Sequence, residues 1–276
     1  MAYQEILYDV SDQIATITPN RPEKLNAWTT QMGREVPEAM NAAARDEAVR
    51  VIVLTGAGRG FCAGADVSLL SQAVEKPAEA ARSPEGGGNG GFAPANGRAD
   101  FQHRYGYLPA IPKPIIAAIN GPTAGLGLVI ALYCDLRLAS QEARLGTVFS
   151  RRGLIAEHGI SWMLPRLVGL PHALDLLLSG RMVDAAEALR MGLVNRLLPA
   201  EGFAEAVRET ARELASLSSP RSTSIIKKQL YEAQFQTLAE AIKTADVLMH
   251  ESFTSDDFRE GVAHFLEKRP PAFTGR

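Results

Sequence analysis

The sequence predicts an α/β protein with a helical C-terminal region, and three observations predict it. Short β-branched runs alternate with helical stretches through the first two-thirds of the chain. Two glycine-rich segments, GRGFCAGADVSLL (58–70) and INGPTAGLGLVIALYCD (119–135), each follow an apolar strand-like run and lead into an apolar helical one. Residues 202–276 carry almost no strand signal. A chain of 276 residues, 46% hydrophobic and 22% charged, has enough material for a large core.

The elements follow in order. ATIT (15–18) reads as a strand, and RPEKLNA leads toward a helix from about Thr29 to Ala48. RVIVLTG (50–56) is a buried strand ending in the first glycine-rich loop, and KPIIAAIN (113–120) is a second, ending in the other. DLRLAS (135–140) and ARLGTV (143–148) read as further strands. After Gly159, the residues Ile160, Met163, Leu164 and Leu167 recur at helical spacing, with Pro165 expected to shorten or kink the helix. FAEAVRETARELASL, SIIKKQLYEAQFQ, LAEAIKTADVLMHESF and SDDFREGVAHFLEKR are four helical segments. Ser219-Pro220 separates the first two, and Ser255 is placed to cap the last. Residues 1–200 thus form an α/β core and 201–276 a helical region suited to packing on a partner subunit. The Gly-, Ala- and Pro-rich stretch 76–100 reads as a mobile insertion in that core.

Composition excludes several function classes. Formal net charge is −2 and no basic tract occurs, which argues against nucleic acid as a partner. Cys62 and Cys134, the two cysteines, lack metal-ligand spacing, so no metal is expected and both read as buried, reduced thiols. MAYQEILYDV lacks the pattern of a secretory leader, no apolar run is long enough to span a bilayer, and PPAFTGR carries no sorting tripeptide. A cytoplasmic protein is expected.

Backbone N–H groups at a strand-to-helix turn lack intrahelical partners and can point at an anion. Small residues let a ligand approach them. GAGRG does not complete a dinucleotide fingerprint, and no P-loop Lys-Ser/Thr follows either loop. RPEKLNAW, FCAGADV, INGPTAGLG, CDLRLAS and GLIAEHG…LPRLVG follow one another in that order. In this the chain resembles the crotonase, or enoyl-CoA hydratase/isomerase, superfamily from about Ile6 to the closing EGVAHFLEKRPPAF.

The resemblance implies a spiral of ββα turns with C-terminal helices, assembled as homotrimers or dimers of trimers. It implies an acyl-CoA thioester as substrate, coenzyme A being part of that substrate and no separate cofactor being needed. The backbone N–H groups of Ala65 and Leu126, the latter after Gly125, would form an oxyanion hole for an enolate-like anion. Such fixed dipoles are worth roughly a hundredfold or more in rate per donor. Lys24, Leu25, Ala27, Ala63, Asp66 and Val67 would line the CoA cleft, although Asp66 could equally cap the helix after it. Lys268 would reach a CoA phosphate, across a subunit boundary, or stand as a solvated surface lysine.

The hydratase pattern breaks at two positions. Family hydratases hold water between two glutamates, and the matching positions are Val129 and Phe149. Neither side chain can ionise. One carboxylate remains, Glu157 in RRGLIAEHGISWMLPRLVGL, matching the single acid of family isomerases. Taken locally, Glu157 also reads as an acid in a first helical turn or as a partner of Arg151 or Arg152. In the family context it is the base for 3-enoyl-CoA to 2-enoyl-CoA isomerisation, with Phe149 in an apolar setting that raises its pKa. Three alternatives stay open: a hydratase with a rearranged site, an acyl-CoA hydrolase or dehalogenase using the carboxylate as nucleophile, and a non-catalytic acyl-CoA binder. His158 is expected to point away from Glu157 toward the surface, His103 carries little weight as a nucleophile, and Trp162 reads as core.

Overall fold

The computed structural model describes residues 3–76 and 98–276. Most of the expected insertion therefore lies outside the described residues. The chain opens with a hairpin, β1 (Ile6–Ser11) antiparallel to β2 (Ile14–Pro19). Asp12 and Gln13 between them both have positive φ, 52° and 64°, the twist a two-residue hairpin turn requires. β1 was not among the strands expected from the sequence.

Helix α1 (Thr30–Arg45) follows, capped by the Thr29 hydroxyl, which accepts from Met32 N–H. Strand β3 (Val51–Thr55), helix α2 (Val67–Glu75), strand β4 (Ile115–Ile119), the two-residue β5 (Thr123–Ala124) and helix α3 (Leu126–Tyr133) come next. Strands β6 (Leu136–Ser140) and β7 (Arg144–Gly146) precede helix α4 (Ile160–Ser179). Then come β8 (Met182–Asp184), α5 (Ala185–Arg190), β9 (Arg196–Leu198) and the C-terminal helices α6 (Phe203–Leu217), α7 (Pro220–Ala233), α8 (Leu238–Phe253) and α9 (Asp256–Glu267).

The main sheet has the order β1-β2-β3-β4-β6-β9 and is parallel beyond the first hairpin; β5, β7 and β8 form a small second sheet. Strand periodicity divides the core. Ile52, Leu54, Ala117 and Ile119 face the large cluster with α1, α3 and α4, whereas Val51, Val53, Ile116 and Ala118 face α6 through Phe203, Val207, Ala211 and Ala215. Burial on both faces is why these strands read as continuous apolar runs.

Helix α4 passes through Pro165 and kinks at Gly169 (φ 76°, ψ 158°) before Pro171, so the break falls four residues later than expected. Glycine tolerates the positive φ there, which Pro165 could not adopt. Ser255 caps α9 as expected, and Ser219, at the expected break between α6 and α7, caps α7. Helix α7 is tied to the core by Lys227, 7% exposed, which pairs with Asp135 at 2.7 Å and donates to the carbonyls of Leu108 and Lys113.

Candidate active site

The first glycine-rich loop is held between two neighbours. On one side Trp28 N–H donates to Gly64 C=O and Asp66 N–H to Trp28 C=O, a parallel bridge that brackets Ala65. On the other side Ala124 N–H donates to Cys62 C=O in a second bridge, Cys62 with Thr123. In extended chain, successive N–H groups point to opposite sides. Asp66 N–H points at Trp28, so Ala65 turns its N–H away from Trp28.

The second loop delivers a donor of its own. Gly125 takes φ 51°, ψ −118°, a conformation open to glycine, and the next residue starts α3. Leu126 N–H is thus the first amide of a helix and has no intrahelical partner. The loops are close-packed: a Cβ at Gly64 would lie 3.9 Å from Leu126 N, and one at Gly127 only 2.3 Å from Cys62 C=O. Among the described residues no hydrogen bond engages the N–H of Ala65 or of Leu126. Two unengaged amides on abutting loops are fixed donors of the kind that can receive a negative oxygen.

The residues expected around the CoA cleft gather beside the first loop, organised by two that the sequence reading missed. Asn26, fully buried, donates to the carbonyls of Ala57 and Gly60 and accepts from Arg21 N–H. Arg21 donates to Ala27 C=O and pairs with Asp66 at 2.8 Å. Leu25 C=O accepts from Ala63 N–H. RPEKLNA carried the signal, a buried asparagine in a turn where Leu25 and Asn26 both have positive φ. Asp66 caps α2 by accepting from Ser68 N–H. That bond and the Arg21 guanidinium bring its carboxyl down to about 2. Of its two readings, the geometry satisfies the structural one. Lys24 and Val67 are exposed at the rim, and Lys268 is an exposed C-cap of α9 in left-handed conformation.

Val129 and Phe149 are 0% and 4% exposed, both in the apolar core. Phe149 lies against the second loop, 3.9 Å from where a Cβ of Gly125 would be. Glu157 stands apart from the helix it precedes: α4 begins at Ile160 with Gly159 as N-cap, so Glu157 is not in its first turn. Nor does it pair with an arginine among the described residues; the Arg151 guanidinium donates to Ser179 C=O. Its side chain is 32% exposed, and burial raises its pKa above the ordinary value. Tyr133, at the far end of α3, donates to His158 C=O at 2.8 Å and fixes this loop. A Cβ at Gly159 would lie 2.5 Å from that hydroxyl, so glycine is required. One helix roughly 12 Å long therefore carries the Leu126 amide at its N-terminus and the anchor of the Glu157 loop at its C-terminus.

His158 corrects the expectation. Positive φ (55°) turns its ring back, so that Nε2 lies 3.9 Å from Glu157 Oε2 and the ring meets Tyr105 edge-on at 5.1 Å. Burial, and then the Arg104 charge, bring its pKa down to about 4, so the imidazole is neutral at neutral pH and the pair is not an ion pair. Trp162 is half-buried rather than core, stacked on Phe235 at 5.4 Å with the Arg166 guanidinium over it. His103 is exposed at the edge of a cavity of about 140 Å³ that Tyr133, Trp162 and Phe235 also line. A cavity of about 890 Å³ lies on the opposite face of the main sheet under α6. Cys62 and Cys134 are buried and unpaired, as expected. Among the described residues no cluster of side chains could hold a metal ion, and no helix is long and apolar enough to cross a membrane.

Comparison with known proteins agrees with this geometry. Residues 9–276 match the enoyl-CoA hydratase/isomerase family. The chain is 35% identical to the 1,2-epoxyphenylacetyl-CoA isomerase of Escherichia coli K12, over 98% of each chain. It is 34% identical to "Probable enoyl-CoA hydratase echA8" of Mycobacterium tuberculosis, over 100% of each. The crystal structure of "Enoyl-CoA Hydrates Subunit I" from Geobacillus kaustophilus HTA426 superposes with a TM-score of 0.87 at 33% identity, over 99% of each chain. The chain belongs to the enoyl-CoA hydratase/isomerase family and has the crotonase fold.

Proposed function

We propose that this member of the enoyl-CoA hydratase/isomerase family isomerises 3-enoyl-CoA to 2-enoyl-CoA thioesters, with Glu157 as the single acid/base. One observation carries the reading. The positions of the two hydratase glutamates are filled by buried Val129 and Phe149, while the remaining carboxylate, Glu157, pairs with no Lys or Arg among the described residues and is raised in pKa by burial. Glu157 removes a proton from C2. Charge moves onto the thioester oxygen, where Ala65 and Leu126 N–H receive it, and the same carboxyl returns the proton at C4. A carboxyl whose pKa is raised toward the working pH is both a sufficient base and a better returning acid.

The test is a paired assay of 3-hexenoyl-CoA isomerisation and 2-butenoyl-CoA hydration with wild type and Glu157→Gln. Isomerisation that falls about a thousandfold or more in the variant, with hydration weak throughout, supports the reading. Robust hydration that survives the substitution sinks it. The contact of His158 Nε2 with Glu157 Oε2 favours a second reading, hydration with water held between these two groups. That reading requires hydration in the wild type that both Glu157→Gln and His158→Ala abolish. Absence of any turnover beside tight CoA-ester binding would identify a binder.

The assembly belongs to the same proposal. Leu230, Leu238, Phe265 and Leu266 on α7–α9 are 65–77% exposed. Large apolar side chains exposed to this degree mark a contact between subunits, here copies of this chain in a homotrimer or a dimer of trimers. Sedimentation should give a trimer or hexamer, and Phe265→Asp with Leu266→Asp should shift it to the monomer.

A further inference from the structure

A second set of donors adjoins this site, and the isomerisation does not use it. Trp28 is 2% exposed, and its indole N–H has no hydrogen-bond partner among the described residues. A buried donor of that kind is costly unless an acceptor completes it. Arg104, half-buried nearby, makes no hydrogen bond and no ion pair among the described residues; its guanidinium rests 5.4 Å from the Tyr105 ring centroid. Both groups border the gap, no larger than a missing Cβ, at one glycine of α1. A Cβ added at Gly33 of α1 would lie 3.3 Å from Arg104 Nη2 and 3.5 Å from Trp28 Nε1.

The carboxylates near this gap are engaged elsewhere. Glu35 accepts from the N–H groups of Gln4 and Glu5 and from Gln31, and Glu5 accepts from the Thr29 hydroxyl and faces Arg21. Arg104 is not the counter-ion of Glu157 either, since burial alone moves that carboxyl and moves it upward. The donors also lie along the reaction site. Trp28 brackets Ala65 through its backbone, its ring meets Tyr105 at 6.3 Å, Tyr105 meets His158 at 5.1 Å, and His158 adjoins Glu157. A wall thus runs from the oxyanion hole to the acid, with a cation and a dry N–H donor set into it.

We propose that Arg104 and the Trp28 indole N–H form a carboxylate-recognising subsite, so that the preferred substrate is a CoA thioester whose acyl group carries a second carboxylate. The proposal rests on the acyl-CoA reading above and names the substrate class for that cleft. A guanidinium takes a carboxylate with two parallel bonds, the indole N–H adds a third, and apolar surroundings strengthen all three.

Calorimetric binding tests it without needing turnover. Glutaryl-CoA is compared with pentanoyl-CoA, and adipoyl-CoA with hexanoyl-CoA, on the full chain and on Arg104→Met, Arg104→Lys and Trp28→Phe. Wild type should bind the dicarboxylic ester at least about tenfold more tightly at one or both lengths. Arg104→Met should bring the two esters to within about twofold of each other, Arg104→Lys should keep part of the preference, and Trp28→Phe should reduce it. Thermal melts show whether each variant is folded, and the lysine variant keeps the charge if the methionine one is not. No preference at either length, or a preference that survives removal of the Arg104 charge, overturns the subsite. Turnover separates the two proposals. If 3-hexenoyl-CoA is isomerised and no dicarboxylate preference exists, the subsite fails alone; if the preference exists and neither 3-hexenoyl-CoA nor 3-hexenedioyl-CoA is isomerised, the reaction assignment fails alone.

Discussion

The proposed oxyanion hole and the proposed acid of this site are held by opposite means. The hole is backbone: Ala65 N–H is aimed by the bridge of Trp28 to its loop, and Leu126 N–H by the start of α3. Both survive any side chain that leaves the chain path intact. The acid is one side chain in a loop whose seven residues before α4 include Gly153 and Gly159, fixed by one hydroxyl bond from Tyr133 and turned by positive φ at His158. The difference teaches where tolerance lies. Side chains at the hole are free to vary while the glycines beside it are not; at the acid the side chain itself is the function, and Gly159 beside it is also required.

The sharpest break of that comparison is Glu157→Gln, which keeps shape and should remove about a thousandfold or more of the isomerisation rate. Next is Gly125→Ala. A Cβ there meets nothing closer than 3.5 Å, so the penalty is the backbone angle itself, about 1–3 kcal/mol. Relaxing it would rotate Leu126 N–H away, and kcat should fall about a hundredfold while Glu157 is untouched. Leu126→Met conserves volume and leaves the N–H, so kcat should stay within about threefold of wild type. Steady-state kinetics on the three variants checks the order, and a large loss in Leu126→Met would show that the hole depends on its side chain.

The pH profile sharpens the same contrast. Amide donors do not titrate, so the acid limb of kcat/KM belongs to Glu157. Its midpoint should lie above the 4.5 of an ordinary glutamate, because burial raises it, with rate falling as pH drops through it. His158, brought down to about 4, stays neutral above that, so the limb should have a slope of one proton. A two-proton slope would place His158 in the titrating unit.

The hole was legible in the sequence because its determinants are local. Two strands ending in glycine-rich turns, each feeding a helix, leave few conformations that bring free amides together, and glycines stand at 64 and 127 where contact demands them and at 125 where positive φ does. Features depending on left-handed backbone at non-glycine residues were not legible: the β1–β2 turn at Asp12-Gln13, the Leu25-Asn26 turn and His158. Sequence spacing alone cannot foretell a conformation that costs a side-chain residue free energy and persists through tertiary contacts. The Trp28–Arg104 gap was hidden for another reason, since residues 76 apart in sequence meet there through folding of the whole core. Pro165 misled because proline is a strong local signal, yet the positive φ that breaks the helix needed Gly169.

The smallest effect expected concerns stability rather than rate. Burial raises the Glu157 pKa above its unfolded value, so the contribution of this group is fully present below the unfolded pKa and is lost as pH rises through the folded one. At neutral pH the ionised carboxylate therefore costs the folded state free energy, and its 32% exposure keeps that cost small through solvent screening. Glu157→Gln, the variant that loses most activity, should thus be slightly more stable than wild type at pH 7, by no more than about 1 kcal/mol. The gain should shrink as pH falls and vanish below about 4.5, where the wild-type carboxyl is protonated in both states. Thermal melts of the two proteins across that range measure it. A destabilised glutamine variant would mean that the carboxylate is held by favourable interactions in the folded state. Glu157 would then be a structural anchor of its loop rather than a group kept there, at a cost, for proton transfer.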